Sequence, residues 1–379
     1  MATTRTAPRS QLTTKPVDLY MSFELGDKRW HISIGDDRRS VSHYIVEAGH
    51  TEEVADCIAK ATARSTANKA RVHSCYEAGR DGWWLHRWLS ERGVDNIVVD
   101  PASIEVNRRA RRAKTDRLDA DKLLAMLIRH HGGERVWSVL REPSPSDEDA
   151  RRVHRELQRL MHERIAHTNR ISSLLVLHNL RPRIVIGGRD WPAWWNSHRE
   201  QLPPALRAEL EREAARLKVV KEQVRVIEAE RAKELAEGKQ PLVAQLARLR
   251  AIGPKGAWVL VKEVFGWRHF ANRRELAGSL GLVPTPYASG DSQIEQGISK
   301  AGNRRVRALL VELAWSWLRL QPGSALTQWF NRRFASAGKR MRRVGIVALA
   351  RRLAIALWRY LQDGQIPAGA HLKPAGVRA

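Results

Sequence analysis

The feature that most constrains this chain is a change in the spacing of its apolar residues near position 144. Before it, short apolar runs bounded by turn residues alternate with amphipathic stretches. After it, apolar residues keep helical spacing almost throughout. VDLYMSFELGDKRWHISIG (17–35) predicts two strands around a turn at Gly26-Asp27, and VHSCYEAG (72–79) and VDNIVVDP (94–101) predict two more. TEEVADCIAKATAR (51–64), GWWLHRWLSERG (82–93) and the segment from Thr115 to Gly132-Gly133 read as helices with N-cap and glycine-stop signals. Strands alternating with helices over about 130 residues predict an α/β domain with a mixed sheet.

SPSDEDA (144–150) opens a different region. Val153, Leu157, Leu160, Met161 and Ile165 follow helical spacing, and a Pro/Trp-rich break (181–195) interrupts it. Leu210, Leu217 and Val224 then recur seven apart, with Val220 and Ile227 between them. Such seams predict an antiparallel helical hairpin or coiled coil, suited to a spacer or a dimerisation element. LARLRAIGPKGAWVLVKEV (246–264) sets Gly253 and Gly256 between two apolar helical stretches. That is the pattern of a helix-hairpin-helix, whose turn, here with Lys255, offers N–H groups to a phosphate; an ordinary glycine-containing turn has the same pattern. The expected division is a flexible arm (1–16), an α/β domain (17–143), a helical spacer (144–240), a mainly α domain (241–362) and a tail (363–379).

Charge sharpens this division. The 379 residues hold 66 Lys+Arg against 41 Asp+Glu, a net +25. Residues 1–146 carry 24 basic and 20 acidic side chains (+4), residues 147–237 carry 18 and 15 (+3), and residues 238–379 carry 24 and only 6 (+18). An excess gathered at one end predicts a surface for a polyanion. Residues 331–360 hold nine Arg/Lys and no acid. Two cysteines, Cys57 and Cys75, make neither a disulfide framework nor a four-ligand zinc site. There is no membrane-length apolar run, and MATTRTAPRSQLTTKP lacks the apolar core of a secretory signal. The expectation is a soluble cytoplasmic protein bound to nucleic acid.

Four carboxylates of the first domain occupy suggestive places: Glu24 in the first strand, Glu77 closing another, and Asp116 and Asp119 opening a helix and sharing one of its faces. Strand ends and helix starts meet at one edge of an α/β sheet. Clustered carboxylates repel, and a divalent cation relieves that repulsion. The same residues also serve plain structural roles, Asp116 as an N-cap, Asp119 in the helix dipole and Glu24 on a solvated strand face. The basic run Arg108, Arg109, Arg111, Arg112 and Lys114 just upstream favours a nucleic-acid site.

YEAGRDGWWLHRWL with NRRARRAKTDRLDADKL, and later LAGSLGLVPTPYASGDSQIEQGISKAGNRRVRALLVELAW, resemble the DEDD-type insertion-sequence transposases, the "one-ten" family of bridge-RNA-guided recombinases. The resemblance spans nearly the whole chain in order. It implies an RNase H-like first domain similar to Holliday-junction resolvases, with Glu24, Glu77, Asp116 and Asp119 as an acidic tetrad for Mg²⁺ or Mn²⁺. It implies a C-terminal transposase domain whose serine before glycine, here Ser289, attacks a DNA phosphodiester and holds a phosphoseryl intermediate. It further implies DNA (element ends and target) and a structured guide RNA as partners, a homo-oligomer (dimer or tetramer), and residence in the bacterial cytoplasm beside the nucleoid. This chain departs from the family at Ser22-Phe23-Glu24, where Asp is usual in place of Glu24; Asp27 is the fallback.

Read without the resemblance, YASGDSQ is loop-like and Ser289 is turn chemistry, with Ser292 as local competitor and Ser299 beginning the basic helix that follows. Lys300, Arg304, Arg305 and Arg307 of that stretch, and Arg340, Arg342 and Arg343 further on, suit phosphate contacts. A serine hydrolase is disfavoured, because there is no G-x-S-x-G elbow. The 14 histidines form no H-E-x-x-H motif, and His130-His131 reads as a solvated helix end. The 14 tryptophans read as core anchors rather than base-stacking platforms. Two alternatives to the recombinase stay open: a metal-dependent junction nuclease using the tetrad alone, and a non-catalytic nucleic-acid-binding protein.

Overall fold

In a computed structural model the described residues are 17–36, 40–64, 70–105, 115–289 and 292–374, with backbone alone for 286–289 and 292–295. The chain divides between Glu142 and Pro143 into two compact units.

The first unit is built on a five-stranded sheet in the order β3-β2-β1-β4-β5. Its strands are β1 (Val17–Leu25), β2 (Arg29–Gly35), β3 (Ser42–Glu47), β4 (Ala70–Glu77) and β5 (Asp95–Val99). β2 runs antiparallel to β1 and β3, while β4 is parallel to both β1 and β5. Gly26 makes the β1–β2 turn possible, since a Cβ there would lie 2.5 Å from the Arg29 carbonyl oxygen. Alternation sends Met21, Phe23 and Tyr76 into one core with Leu85 and Leu89 of α2 (Trp84–Glu91) and Val54 of α1 (Thr51–Arg64). Cys75 and Val99 enter the opposite core with Leu123 and Leu127 of α3 (Asp116–His131). Helices therefore cover both faces, as an α/β sheet with apolar residues on both sides requires.

The second unit is helical apart from one hairpin. After α4 (Pro145–Ala150), α5 (Arg152–Val176) packs on α7 (Pro204–Ala236), with α6 (Trp191–His198) at the turn between them. Leu157 and Leu160 meet Val220 and Val224 near one end; Ile171 and Leu174 meet Leu210 and Leu217 near the other. That is the antiparallel hairpin expected from the apolar spacing.

Next come α8 (Pro241–Ala247), α9 (Pro254–Leu260), a π-helical turn (Val261–Phe265), α10 (Arg273–Ser279), the hairpin β6 (Pro284–Ser289)–β7 (Ser292–Ile298), α11 (Arg304–Leu320), α12 (Ala325–Phe334) and α13 (Lys339–Asp363). Their core holds Trp317, Leu310, Leu349, Leu353 and Leu357, all 0% exposed. The segment expected as a tail is docked over its described length: Lys373 N–H donates to the Arg248 carbonyl, Arg250 N–H to the His371 carbonyl, and Leu249 bridges to Leu372. Buried Gln321 locks it further, donating to the carbonyls of Arg250 and His371.

Candidate catalytic and nucleic-acid-binding sites

On adjacent parallel strands Phe23 lies opposite Tyr76, so Glu24 and Glu77 follow at neighbouring strand ends. Ser22 Oγ donates to the Ala120 carbonyl of α3 at 2.7 Å, and Cys75 Sγ approaches the Leu123 carbonyl at 3.8 Å. Alternation therefore turns Glu24 and Glu77 toward the α3 side. α3 begins at this end of the sheet. Thr115, rather than Asp116, is the N-cap, its hydroxyl accepting from Leu118 N–H, and Asp116 and Asp119 occupy the first turn. His31, opposite Glu24 on β2, places Nε2 3.6 Å from Asp116 Oδ2.

The fold thus brings all four carboxylates to one edge. They do not form a closed ligand set; among the described residues, the group of three donor side chains within 4.8 Å lies elsewhere, at His73, Asp95 and His131. An open oxygen-rich edge suits Mg²⁺, which keeps waters and takes further ligands from substrate phosphates. Asp27, the fallback, is paired with Arg80. Arg108, Arg109, Arg111, Arg112 and Lys114 lie outside the described residues.

Ser289 ends β6, its backbone opposite Ser292 at the tip of the hairpin. The base of that hairpin is held by the motif glycines. Gly281 (φ +64) and Gly302 (φ +73) pack so closely that a Cβ on either would lie 2.0 Å from a carbonyl oxygen, of Ala301 and Ser279 respectively. Ser299 N–H donates to Val283 O and Asn303 N–H to Ser279 O. Arg307, expected on phosphate, instead donates to the carbonyls of Leu280 and Ala301. The basic helix begins later than Ser299: Asn303 caps α11 by accepting from Val306 N–H, and Lys300 sits before it at φ 57.

Alongside this hairpin runs a groove of about 850 Å³. It is lined by Pro284, Gly297 and Ile298, by Arg273 and Arg274 of α10, by Arg351, Arg352 and Arg359 of α13, and by Trp329 of α12, with no acid among its lining residues. The Arg352 guanidinium lies 4.1 Å from the centre of the Trp329 ring. Partial burial, and then the like charges of Arg333 and Arg351, push Arg352 below its usual range. Arg273 and Arg274 carry no local signal in sequence, because they meet α13 only through the fold. Replacing Arg351, Arg352 and Arg359 together by alanine is expected to weaken DNA binding at least 10-fold at physiological salt. It is also expected to flatten the plot of log K against log[salt] by about 0.9 for each phosphate no longer neutralised. Filter binding over a salt series measures both.

Other basic residues sort by environment. Lys300, Arg304, Arg340, Arg342 and Arg343 are exposed. Lys255 is paired with Glu228 of α7. Arg305 is structural: its guanidinium bonds Gln158 of α5 and lies 3.4 Å from Glu263. Glu263, on the π-helical turn and 3% exposed, also accepts from both nitrogens of one edge of Arg155 at 2.8 Å, from Asn303 Nδ2 at 2.9 Å and from His154 Nε2 at 2.6 Å. Burial pushes its carboxyl up, but the bonds from Arg155 and His154 more than offset this and hold it well below the usual range.

The family model "Transposase IS116/IS110/IS902 family" matches residues 243–329, which hold the close-packed Gly281 and Gly302, the Ser289 hairpin and part of the arginine groove. A Sinorhizobium fredii protein named "Putative transposase y4rJ" is 39% identical over 377 residues, 94% of each chain. "Putative transposase y4qE" of the same organism is 31% identical over 69% of this chain and 62% of its own length. The "Transposase for insertion sequence element IS1328" of Yersinia enterocolitica is 28% identical over 56% of this chain and 63% of its own. No helix among the described residues is long and apolar enough to cross a membrane. The likeness to y4rJ runs along almost the whole chain, through both the carboxylate edge and the serine hairpin, and the chain belongs to the IS116/IS110/IS902 family of insertion-sequence transposases.

Proposed function

We propose that this transposase cuts and rejoins DNA by serine attack on a phosphodiester, assisted by a divalent cation at the carboxylate edge. The observation that carries the reading is the acid-free arginine groove beside the Ser289 hairpin. A groove of that charge holds a phosphate backbone, and the hairpin brings a hydroxyl-bearing residue to the same unit. In the step, the Ser289 Oγ–P bond forms while the P–O bond to a deoxyribose oxygen breaks. The hydroxyl proton leaves Oγ, and a proton ends on the departing sugar oxygen. The number of phosphate ester bonds is unchanged, so the reverse attack by another strand's hydroxyl rejoins DNA without an energy source. Plain hydrolysis discards that bond.

Glu24, Glu77, Asp116 and Asp119 would hold Mg²⁺ or Mn²⁺, which supplies charge stabilisation at a phosphoryl centre. Carboxylates at the ends of β1 and β4 and at the start of α3 support an RNase H-like reading of the first unit. A structured guide RNA would occupy further basic surface, such as Lys300, Arg304, Arg340, Arg342 and Arg343, with base pairing supplying sequence specificity. The α5–α7 hairpin, with Val219 and Val226 exposed seven apart on α7, would join protomers in a coiled-coil manner.

The test is a DNA substrate nicked so that cleavage cannot reverse. Denaturing gels should show a covalent protein–DNA adduct with the parent protein and none with Ser289→Ala, while DNA binding stays within about twofold of the parent, since only one small hydroxyl is removed. An adduct that persists in Ser289→Ala overturns the serine assignment. Cleavage that survives in Ser289→Ala without any adduct favours the tetrad-only nuclease.

A further inference from the structure

At the end of the first unit's sheet away from the carboxylate edge, three side chains from three elements converge. His73 of β4 lies directly opposite Asp95, the first residue of β5, and its Nδ1 is 2.9 Å from Asp95 Oδ2. His131, the last residue of α3, packs its ring 4.1 Å from that of His73, centre to centre. One donor atom from each of the three falls within 4.8 Å of the others. On the far side of the His73 ring, Nε2 is 3.2 Å from Asp18 Oδ1 of β1. Tyr20 stacks on His73 at 5.5 Å and fixes the plane of the ring.

The arrangement poses a chemical problem. A neutral imidazole donates one hydrogen bond, yet His73 presents a ring nitrogen to a carboxylate on each side. One carboxylate therefore faces a lone pair unless a cation sits between them. The His131 imidazole brings a further ring nitrogen within 4.8 Å of donor atoms of both His73 and Asp95. A metal ion uses all of these groups at once.

We propose that His73 Nδ1, His131 and Asp95 bind a divalent transition metal, Zn²⁺ above all, with Asp18 holding His73 from behind. Two imidazoles and one carboxylate form a three-ligand set that zinc accepts with water in the fourth position, and the nitrogen donors select against Mg²⁺. A carboxylate on the free N–H of a ligating histidine is the usual outer support, fixing ring orientation and tautomer. The ion would tie the C-terminus of α3 to β4 and β5. It would thus brace the helix whose other end carries Asp116 and Asp119. The proposal stands independently of the catalytic reading.

The test uses full-length protein stripped by chelator and titrated with Zn²⁺ against a chromogenic competitor, and with Co²⁺ followed in the visible. The parent is expected to bind one tight Zn²⁺ equivalent and to give the intense band of four-coordinate Co²⁺. His131→Ala and Asp95→Asn should each weaken binding by more than about 100-fold, and Asp18→Asn by about 10–100-fold. Asp119→Asn should leave zinc affinity unchanged. His131 and Asp95 are exposed, so their variants should melt like the parent without metal. Absence of a stoichiometric site, binding that survives in His131→Ala, or binding lost in Asp119→Asn overturns the proposal.

Discussion

Asp119→Asn is expected to lower DNA strand cleavage by roughly three orders of magnitude or more while leaving DNA binding and folding nearly intact. A divalent cation at a phosphoryl centre contributes several kcal/mol of charge stabilisation, and each ~1.4 kcal/mol is tenfold in rate. The structural cost is much smaller, because losing a negative charge from a helix's first turn costs about 0.3–1 kcal/mol. The two magnitudes separate the readings. If Asp119 only serves the helix dipole, the variant loses a fraction of its stability and keeps its activity. If it holds the metal, the order of the effects reverses. Single-turnover cleavage at saturating DNA, alongside thermal melting, measures both. Glu24→Asp supplies the companion result: a shorter side chain that keeps the carboxylate should preserve cleavage, whereas Glu24→Ala should not.

How much of this was legible in sequence depends on how local each signal is. β1, β2, β4 and β5 were readable because buried strands are short apolar runs between turn residues. β3 was not, because Ser42–Glu47 is a half-exposed edge strand whose alternating polar residues look like loop. The β6–β7 hairpin was missed for a similar reason: Pro284 and Pro286 in a small polar segment signal a turn, and only pairing with β7 makes it a strand. A run of basic residues after Ser299 suggested an earlier helix start, which the positive φ at Lys300 and Gly302 prevents.

Tertiary convergence leaves still less trace. Arg273 and Arg274 stand nearly 80 residues from Arg351 and Arg352, and nothing in either stretch names the other. His131 read as a solvated helix end, yet it meets His73 and Tyr20 across the sheet. The motif glycines, by contrast, were visible as a pattern but not as a mechanism. Their role is steric, since only hydrogen at Gly281 and Gly302 lets two backbone segments cross.

Glu263→Gln is expected to destabilise the second unit by about 3–5 kcal/mol at pH 7, the cost of removing one partner from a buried charged network. That is a large share of the 5–15 kcal/mol by which domains are folded. The geometry explains why so much rests on one side chain. Glu263 joins α5, through His154 and Arg155, to the start of α11, through Asn303 and Arg305. Glutamine keeps one acceptor but turns the other position into a donor facing donors.

The pH dependence follows from the direction of the shifts. The Glu263 carboxyl is held below its unfolded value, so its contribution is present above the ordinary carboxyl range and is lost as pH falls through that range toward the folded value. Burial, outweighing the pull of Glu263, pushes His154 below its usual value, and its buried Nδ1 has no partner. The ring is therefore neutral, donates through Nε2, and also favours unfolding in acid. Denaturation midpoints of parent and Glu263→Gln should accordingly differ widely at pH 7 and draw together progressively as pH falls below the ordinary carboxyl range, closing only toward the much lower folded value at which the parent's carboxylate is protonated. Equal midpoints at pH 7 would show that α5 is held to the C-terminal helices by apolar packing alone.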